Sequence, residues 1–264
     1  MKVAAIQMDC LLGSKENNLE KADGLLQQAV EQEAKLIVLP ELFNTGYRVE
    51  ERDLELAETV PGETTEWLEK ICRTHQVYVV GCILEKCAVN GVVYDTAFAV
   101  GPEGLIGSYR KTHLWDKEHL RFARGWELPV FDLGFARLGL QICYEIGFPE
   151  GARSLTLQGA DIIAYPSAFG KERYYAWDVA SRSRALENGV YVIACNRTGT
   201  EKNETEFGGK SRIVDPTGKV LAEAESADEV IVSEIDLDFV AVQRRKIPYL
   251  RDLNRQLMKD VYHQ

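Results

Sequence analysis

Apolar positions gather into short runs separated by stretches of helical period, and this alternation organises the chain. Residues 3–8 and 36–39 are mostly apolar and short enough for strands. Between them, over residues 16–33, Ala22, Leu25, Leu26 and Val30 fall at helical spacing. A second helix is predicted over 66–75, leading into the β-branched run 77–83. Asn90-Gly91 punctuates the way into a strand at 92–100, and Gly101-Pro102-Glu103-Gly104 reads as a hairpin turn to 105–110.

The second half repeats the plan. It predicts a strand at 136–143 and a helix at 149–157, with Pro149 at a tolerated first-turn position. A strand at 161–165, a helix at 173–187 and a strand at 190–195 follow. A hairpin of 211–214 and 219–224 then turns across Asp215-Pro216-Thr217-Gly218. The halves also match in detail. Lys35-Leu-Ile-Val-Leu-Pro-Glu-Leu-Phe43 parallels Asp161-Ile-Ile-Ala-Tyr-Pro-Ser-Ala-Phe169, and Val77-Tyr-Val-Val80 parallels Val190-Tyr-Val-Ile193. Val100-Gly-Pro-Glu-Gly104 parallels Val214-Asp-Pro-Thr-Gly218. Two similar β-α-β-α-β-β units explain this more economically than chance matches of short apolar runs. Each unit makes a sheet with helices on one face, so the other apolar face needs a partner sheet. The predicted fold is therefore α/β, a four-layer α-β-β-α sandwich. No Ser/Gly-rich linker or charge run divides it, so residues 1–264 read as a single domain.

Composition narrows the function. The 45% apolar and 27% charged shares are those of an ordinary globule with a sizeable core rather than a disordered chain. A net charge of −10 argues against general binding to nucleic acid or anionic lipid, because phosphate neutralisation supplies most non-specific affinity. The N-terminus soon reaches charge and lacks a signal-peptide pattern, and no stretch approaches the roughly 20 apolar residues of a membrane helix. A cytoplasmic location is the default expectation. Of the six cysteines, Cys72, Cys82 and Cys195 sit in apolar runs and read as small core residues rather than disulfide partners. The histidines and cysteines show no paired metal-ligand spacing, so no metal is expected.

Three segments carry candidate chemistry. Leu39-Pro-Glu-Leu-Phe-Asn-Thr-Gly-Tyr47 places an acidic residue just after a buried-looking strand, where ligands gather in α/β sheets. Tyr109-Arg-Lys-Thr-His-Leu-Trp115 places a lysine at another strand end. Either charge alone is, in most proteins, a solvated surface group. In Leu140-Gln-Ile-Cys-Tyr-Glu-Ile-Gly-Phe-Pro-Glu150 a cysteine ends a strand and the chain turns into a helix. That elbow exposes a nucleophile and leaves backbone N–H groups free to hold an oxyanion, although a lone cysteine there reads equally well as a buried thiol.

Taken together, the three resemble the Glu–Lys–Cys segments of the carbon–nitrogen hydrolase (nitrilase) superfamily, over nearly the whole chain. Further ordered matches are Glu118-x-x-x-Phe122-x-x-Gly125, Pro166-Ser-Ala-Phe169, Trp177, Arg184-Ala-Leu-Glu-Asn188, Gly208-Gly-Lys-Ser211 and Val214-Asp-Pro-x-Gly218. The resemblance implies the same four-layer fold, no cofactor, and these roles: Glu41 as general base, Lys111 as electrostatic stabiliser, Cys143 as nucleophile and Glu118 as a second carboxylate beside the lysine. The backbone N–H of Tyr144 suits an oxyanion, and Tyr47 and Phe169 are expected as pocket walls. The implied activity is hydrolysis of a small linear carboxamide to acid and ammonia through a thioester. Nitrile or N-carbamoyl hydrolysis uses the same residues, and a catalytically silent binding protein is the rival of another class.

The resemblance also implies a homodimer or higher homo-oligomer. The tail from about residue 240 to 264 is expected at its interface, because Gln243-Arg-Arg-Lys-Ile-Pro-Tyr-Leu-Arg251 mixes apolar with basic residues. Two departures, Glu145 and Gly147, stand where many members carry Asp and Arg. They are expected to bear on the pocket, and the missing arginine favours a substrate without a carboxylate.

Overall fold

The computed structural model describes residues 1–87, 89 and 91–257. The first half runs β1 (Lys2–Gln7), α1 (Lys15–Glu31), β2 (Ala34–Val38), the short α2 (Asp53–Leu56), α3 (Glu63–His75), β3 (Tyr78–Lys86), β4 (Val93–Gly101) and β5 (Gly104–Arg110). The second runs β6 (Val130–Asp132), β7 (Arg137–Leu140), α4 (Pro149–Leu157), β8 (Ile162–Ser167), α5 (Tyr174–Asn188) and β9 (Tyr191–Asn196). It continues through the small ribbon of β10 (Thr200–Glu201) and β11 (Thr205–Glu206) to β12 (Arg212–Val214) and β13 (Val220–Glu223). The chain then returns as β14 (Glu229–Glu234), α6 (Asp238–Lys246) and α7 (Tyr249–Asp252).

The strands form two six-stranded sheets, ordered β14-β1-β2-β3-β4-β5 and β13-β12-β9-β8-β7-β6. In each, three parallel strands continue into an antiparallel pair, so the sequence repeat is a structural one. Alternation explains the layering. In β1, Val3 and Ala5 face a core shared with the second sheet's Leu138, Ile162 and Ile193, while Ala4 and Ile6 pack under α1 with Leu25 and Leu26. The Cys195 Sγ bridges the layers, 3.1 Å from the Val38 carbonyl and 3.2 Å from that of Ile6. The expected four layers are present.

Two strands extend the sequence reading. β6 and β14 each add an edge strand, and β14 ties the end of the chain back to β1. The strand expected over 136–143 stops at Leu140. Beyond it the Ile142 N–H turns to the Glu145 carboxylate at 2.8 Å, and Cys143 adopts a left-handed φ of 49°. Among the described residues no helix is long and apolar enough to cross a membrane. Within the tail, α6 packs back on its own chain: Val240 and Gln243 are buried, and Arg244 donates to the Ala160 carbonyl at 2.7 Å. Residues 258–264 lie outside the described residues.

Candidate active site

The strand ends of both sheets converge on one buried cluster. Glu41 follows β2 in a tight turn, helped by a left-handed φ of 51° at Leu42, and is wholly buried. One of its oxygens accepts from Lys111 Nζ at 2.6 Å and the other from the Ala168 N–H at 2.7 Å. Lys111 leaves β5 with its N–H on the Asp95 carbonyl at 2.9 Å and its carbonyl accepting from Gly125 at 2.8 Å. This accounts for the glycine in the Glu118–Gly125 motif, since a Cβ at position 125 would meet the Arg110 carbonyl oxygen at 2.1 Å. Glu118 sits in the 3-10 turn Asp116–Leu120. It takes bonds from Lys111 Nζ at 2.9 Å, the Tyr47 hydroxyl at 2.7 Å and the Trp115 N–H at 2.7 Å.

A third acidic residue completes the cluster, and the sequence reading missed it. Asp95, inside β4 and fully buried, lies 3.1 Å from Lys111 Nζ. Its only sequence signal is an acidic residue on a strand face otherwise carrying Ala97 and Ala99. One oxygen each of Glu41, Asp95 and Glu118 falls within 4.8 Å of the others, a set that could hold a metal ion. Here the Lys111 ammonium bonds to all three and supplies the positive charge.

Cys143 opens the 3-10 turn Cys143–Gly147 and lines a cavity of about 770 Å³ together with Tyr47, Trp115, Glu118, Tyr144 and Phe169. That size suits a small molecule. Tyr47 is therefore both a wall and a hydrogen-bond donor to Glu118, and Phe169 packs on Trp177 with ring centroids 5.4 Å apart. The Tyr144 N–H has no acceptor among the described residues.

Electrostatics follow from burial and mutual charge. Burial pushes the Glu41 carboxyl well above the usual range; Lys111 opposes this, while Asp95 and Glu118 add to it. For Lys111 burial works against the ammonium, but Glu118, Glu41 and Asp95 outweigh it and hold the group above the ordinary lysine range. Burial, aided by Glu41 and opposed by Lys111, pushes the Cys143 thiol up. A thiol so placed stays protonated until something takes its proton. The other buried cysteines behave as core residues: burial takes Cys72 up to about 12 and Cys10 up to about 11, and all six cysteines are unpaired.

Two expectations fail. Glu145 does not touch the pocket. It is fully buried and accepts from Ile142 N–H (2.8 Å), Tyr109 hydroxyl (2.6 Å), Thr112 N–H (2.9 Å) and hydroxyl (2.6 Å), and His113 N–H (3.1 Å). It thereby braces the cysteine turn against the lysine segment. Gly147 is exposed, with open space at its Cβ position, and does not line the cavity. The tight turn aims residues 145 and 147 in different directions, which separation along the chain does not reveal.

The model of the carbon-nitrogen hydrolase family matches residues 2–245. The chain is a carbon–nitrogen hydrolase. It is similar to a nitrilase of Pyrococcus abyssi, 42% identical with 99% of each chain covered. It is also similar to a 2-oxoglutaramate amidase of Bacillus subtilis, 35% identical over 97% of this chain and 98% of that one. Among solved structures, an amidase variant from Nesterenkonia sp. AN1, with acrylamide added at its active-site cysteine, superposes with a TM-score of 0.86 at 25% identity, covering 98% of this chain and 99% of that one. This carbon–nitrogen hydrolase is thus an enzyme with the nitrilase-superfamily fold that acts on C–N bonds.

Proposed function

We propose that the enzyme hydrolyses a small linear carboxamide to its acid and ammonia, with Cys143 as nucleophile, Glu41 as base and Lys111 as charge stabiliser. The observation that carries this reading is the Glu41 carboxylate, held between Lys111 Nζ and the Ala168 N–H beneath the cavity that Cys143 lines. As the Cys143 sulfur bonds to the amide carbon, its proton passes to Glu41 and the carbonyl electrons move onto oxygen. The Lys111 ammonium and the free Tyr144 N–H receive that charge, each worth about 3 kcal/mol on the scale of oxyanion-hole donors. Glu41 returns the proton to the nitrogen as the C–N bond breaks. A water, deprotonated by Glu41, then cleaves the thioester. Glu118, held by Tyr47, keeps Lys111 in place.

The cavity favours an amide that also bears a carboxylate. Of its five cations, Arg48 pairs with Glu50, Arg121 with Asp53 and Lys171 with Glu206, and Lys117 and Arg173 remain without an ion pair among the described residues. Arg173 lies over the rings of Trp115 (4.5 Å) and Phe169 (5.5 Å), a planar donor set for a carboxylate. The similarity to the Bacillus 2-oxoglutaramate amidase points the same way. Gly147, whose missing side chain favoured a neutral substrate, lies outside the cavity.

The test is ammonia release across amides, nitriles and ureido acids, with kcat/KM compared for an ω-amide of a dicarboxylic acid and an aliphatic amide of equal length. The anionic amide is expected to win by about tenfold, roughly 1.4 kcal/mol, and Arg173→Met to close the gap. Turnover of nitriles or ureido acids alone would remove the amide reading, and equal rates would remove the role of Arg173.

We infer also that residues 1–264 act as one domain in a homo-oligomer. Tyr175 and Val179 on α5 and Tyr249 on α7 are exposed apolar side chains that support a subunit contact there. A monomeric mass by light scattering at micromolar concentration would exclude it. The six unpaired cysteines support a reducing compartment such as the cytoplasm.

A further inference from the structure

Asp95 belongs to the buried cluster, yet the proposed mechanism gives it nothing to do. Its Oδ2 accepts from Lys111 Nζ at 3.1 Å, its Oδ1 from the Cys82 thiol at 3.1 Å, and its backbone carbonyl from the Lys111 N–H at 2.9 Å. The residue therefore grips both the backbone and the ammonium of Lys111. The groups facing Glu41 are Lys111, Asp95, Glu118 and the thiols of Cys143 and Cys82, with Tyr47 reaching the cluster through Glu118. One ammonium balances only one of three buried carboxylates, and an excess of negative charge in a dry site favours keeping a proton.

We propose that Asp95 is a positioning residue: it holds the Lys111 ammonium and, through its own fixed charge, makes Glu41 a stronger acceptor for the Cys143 proton. The buried thiol needs such an acceptor, because a weaker base would leave almost no thiolate at neutral pH. The direction in which Asp95 moves the Glu41 carboxyl, upward, agrees with the geometry.

The inference rests on Cys143 and Glu41 being nucleophile and base, so its test uses alkylation rather than amide turnover. The rate at which iodoacetamide modifies Cys143, read from the mass of its peptide, is measured against pH. In the wild type the rate falls on the acid side as Glu41 gains a proton. Asp95→Asn is expected to move that limb down by about one unit or more and to lower the plateau about tenfold, because a base weaker by one unit generates tenfold less thiolate. Cys82→Ala keeps the charge of Asp95 and is expected to leave the limb in place. A lower rate with an unmoved limb in Asp95→Asn would reduce Asp95 to a packing role, as would an equal shift in Cys82→Ala. Should Asp95→Asn fail to fold, Asp95→Ser is read in the same way. Glu41→Gln separates the two levels: a limb that survives it defeats the base assignment and this proposal together. A limb lost there but unmoved in the Asp95 variants defeats the role of Asp95 alone.

Discussion

The two halves of the molecule share a strand order but not a chemistry. In each, the first parallel strand has a cysteine three residues beyond its end, Cys10 after β1 and Cys143 after β7. Each runs its next strand into a buried proline, Pro40-Glu41 in one and Pro166-Ser167 in the other. The first half supplies every charge of the cluster, Glu41, Asp95, Lys111 and Glu118. The second supplies Cys143, Tyr144 and the Ala168 N–H. At the counterpart of Lys111, just beyond β13, stands Glu225, which pairs with Lys210 at 2.7 Å. The repeat builds a symmetric frame, and the site is made where one half's charges meet the other's turn.

The cysteine pair gives the largest expected effect. Cys10 is buried beneath Arg197, which donates to its carbonyl at 3.2 Å, and it does not line the cavity. Cys143→Ala should leave a folded protein whose ammonia release falls by at least about 10³-fold, since no other group can form the thioester. Cys10→Ala should keep full turnover, as should Cys87→Ala. Turnover by Cys143→Ala within tenfold of wild type, or its loss in Cys10→Ala, would break the contrast between the halves.

The repeat was legible because apolar runs and turn residues recur in the same order, and helix positions came out within a few residues. β6 and β14 were not, because a short edge strand needs little apolar pattern and owes its place to a distant partner. Glu41, Lys111, Cys143 and Glu118 were legible through the ordered motifs that surround them. Asp95 was not, because its partner Lys111 lies sixteen positions along the chain and only the β4–β5 hairpin brings them together. Glu145 and Gly147 mark the limit of arguing from chain separation alone: both follow Cys143 closely, and neither reaches the cavity.

A middle-sized effect is expected within the charged half. Glu118→Gln keeps the shape, and a hydrogen bond from Tyr47 can still be accepted, but the charge beside Lys111 is lost. The protein should fold, with kcat/KM lower by about tenfold, roughly 1.4 kcal/mol. The loss should fall mainly on kcat, because in the proposed mechanism Lys111 acts on charge that develops during reaction. A loss confined to KM would move Glu118 from the support of Lys111 to direct contact with substrate, and unchanged kinetics would leave it a buried structural carboxylate.

Ser167, the counterpart of Glu41, should give the smallest effect. Its hydroxyl is fully buried and donates to the Tyr165 carbonyl at 3.0 Å, within its own strand, rather than to any member of the cluster. Ser167→Ala removes that bond and leaves a carbonyl inside the paired strands, so the cost in stability should be about 1 kcal/mol, visible as a small fall in Tm. The backbone of Ser167 also accepts from the Arg197 N–H at 3.1 Å, and alanine preserves that contact. Since Ala168 still donates to Glu41 in the variant, kcat/KM should change by less than about twofold, within 0.4 kcal/mol. A tenfold loss would show that the strand end of the second half must be held by the serine for Ala168 to meet Glu41. The halves would then share the work at equivalent positions rather than divide it.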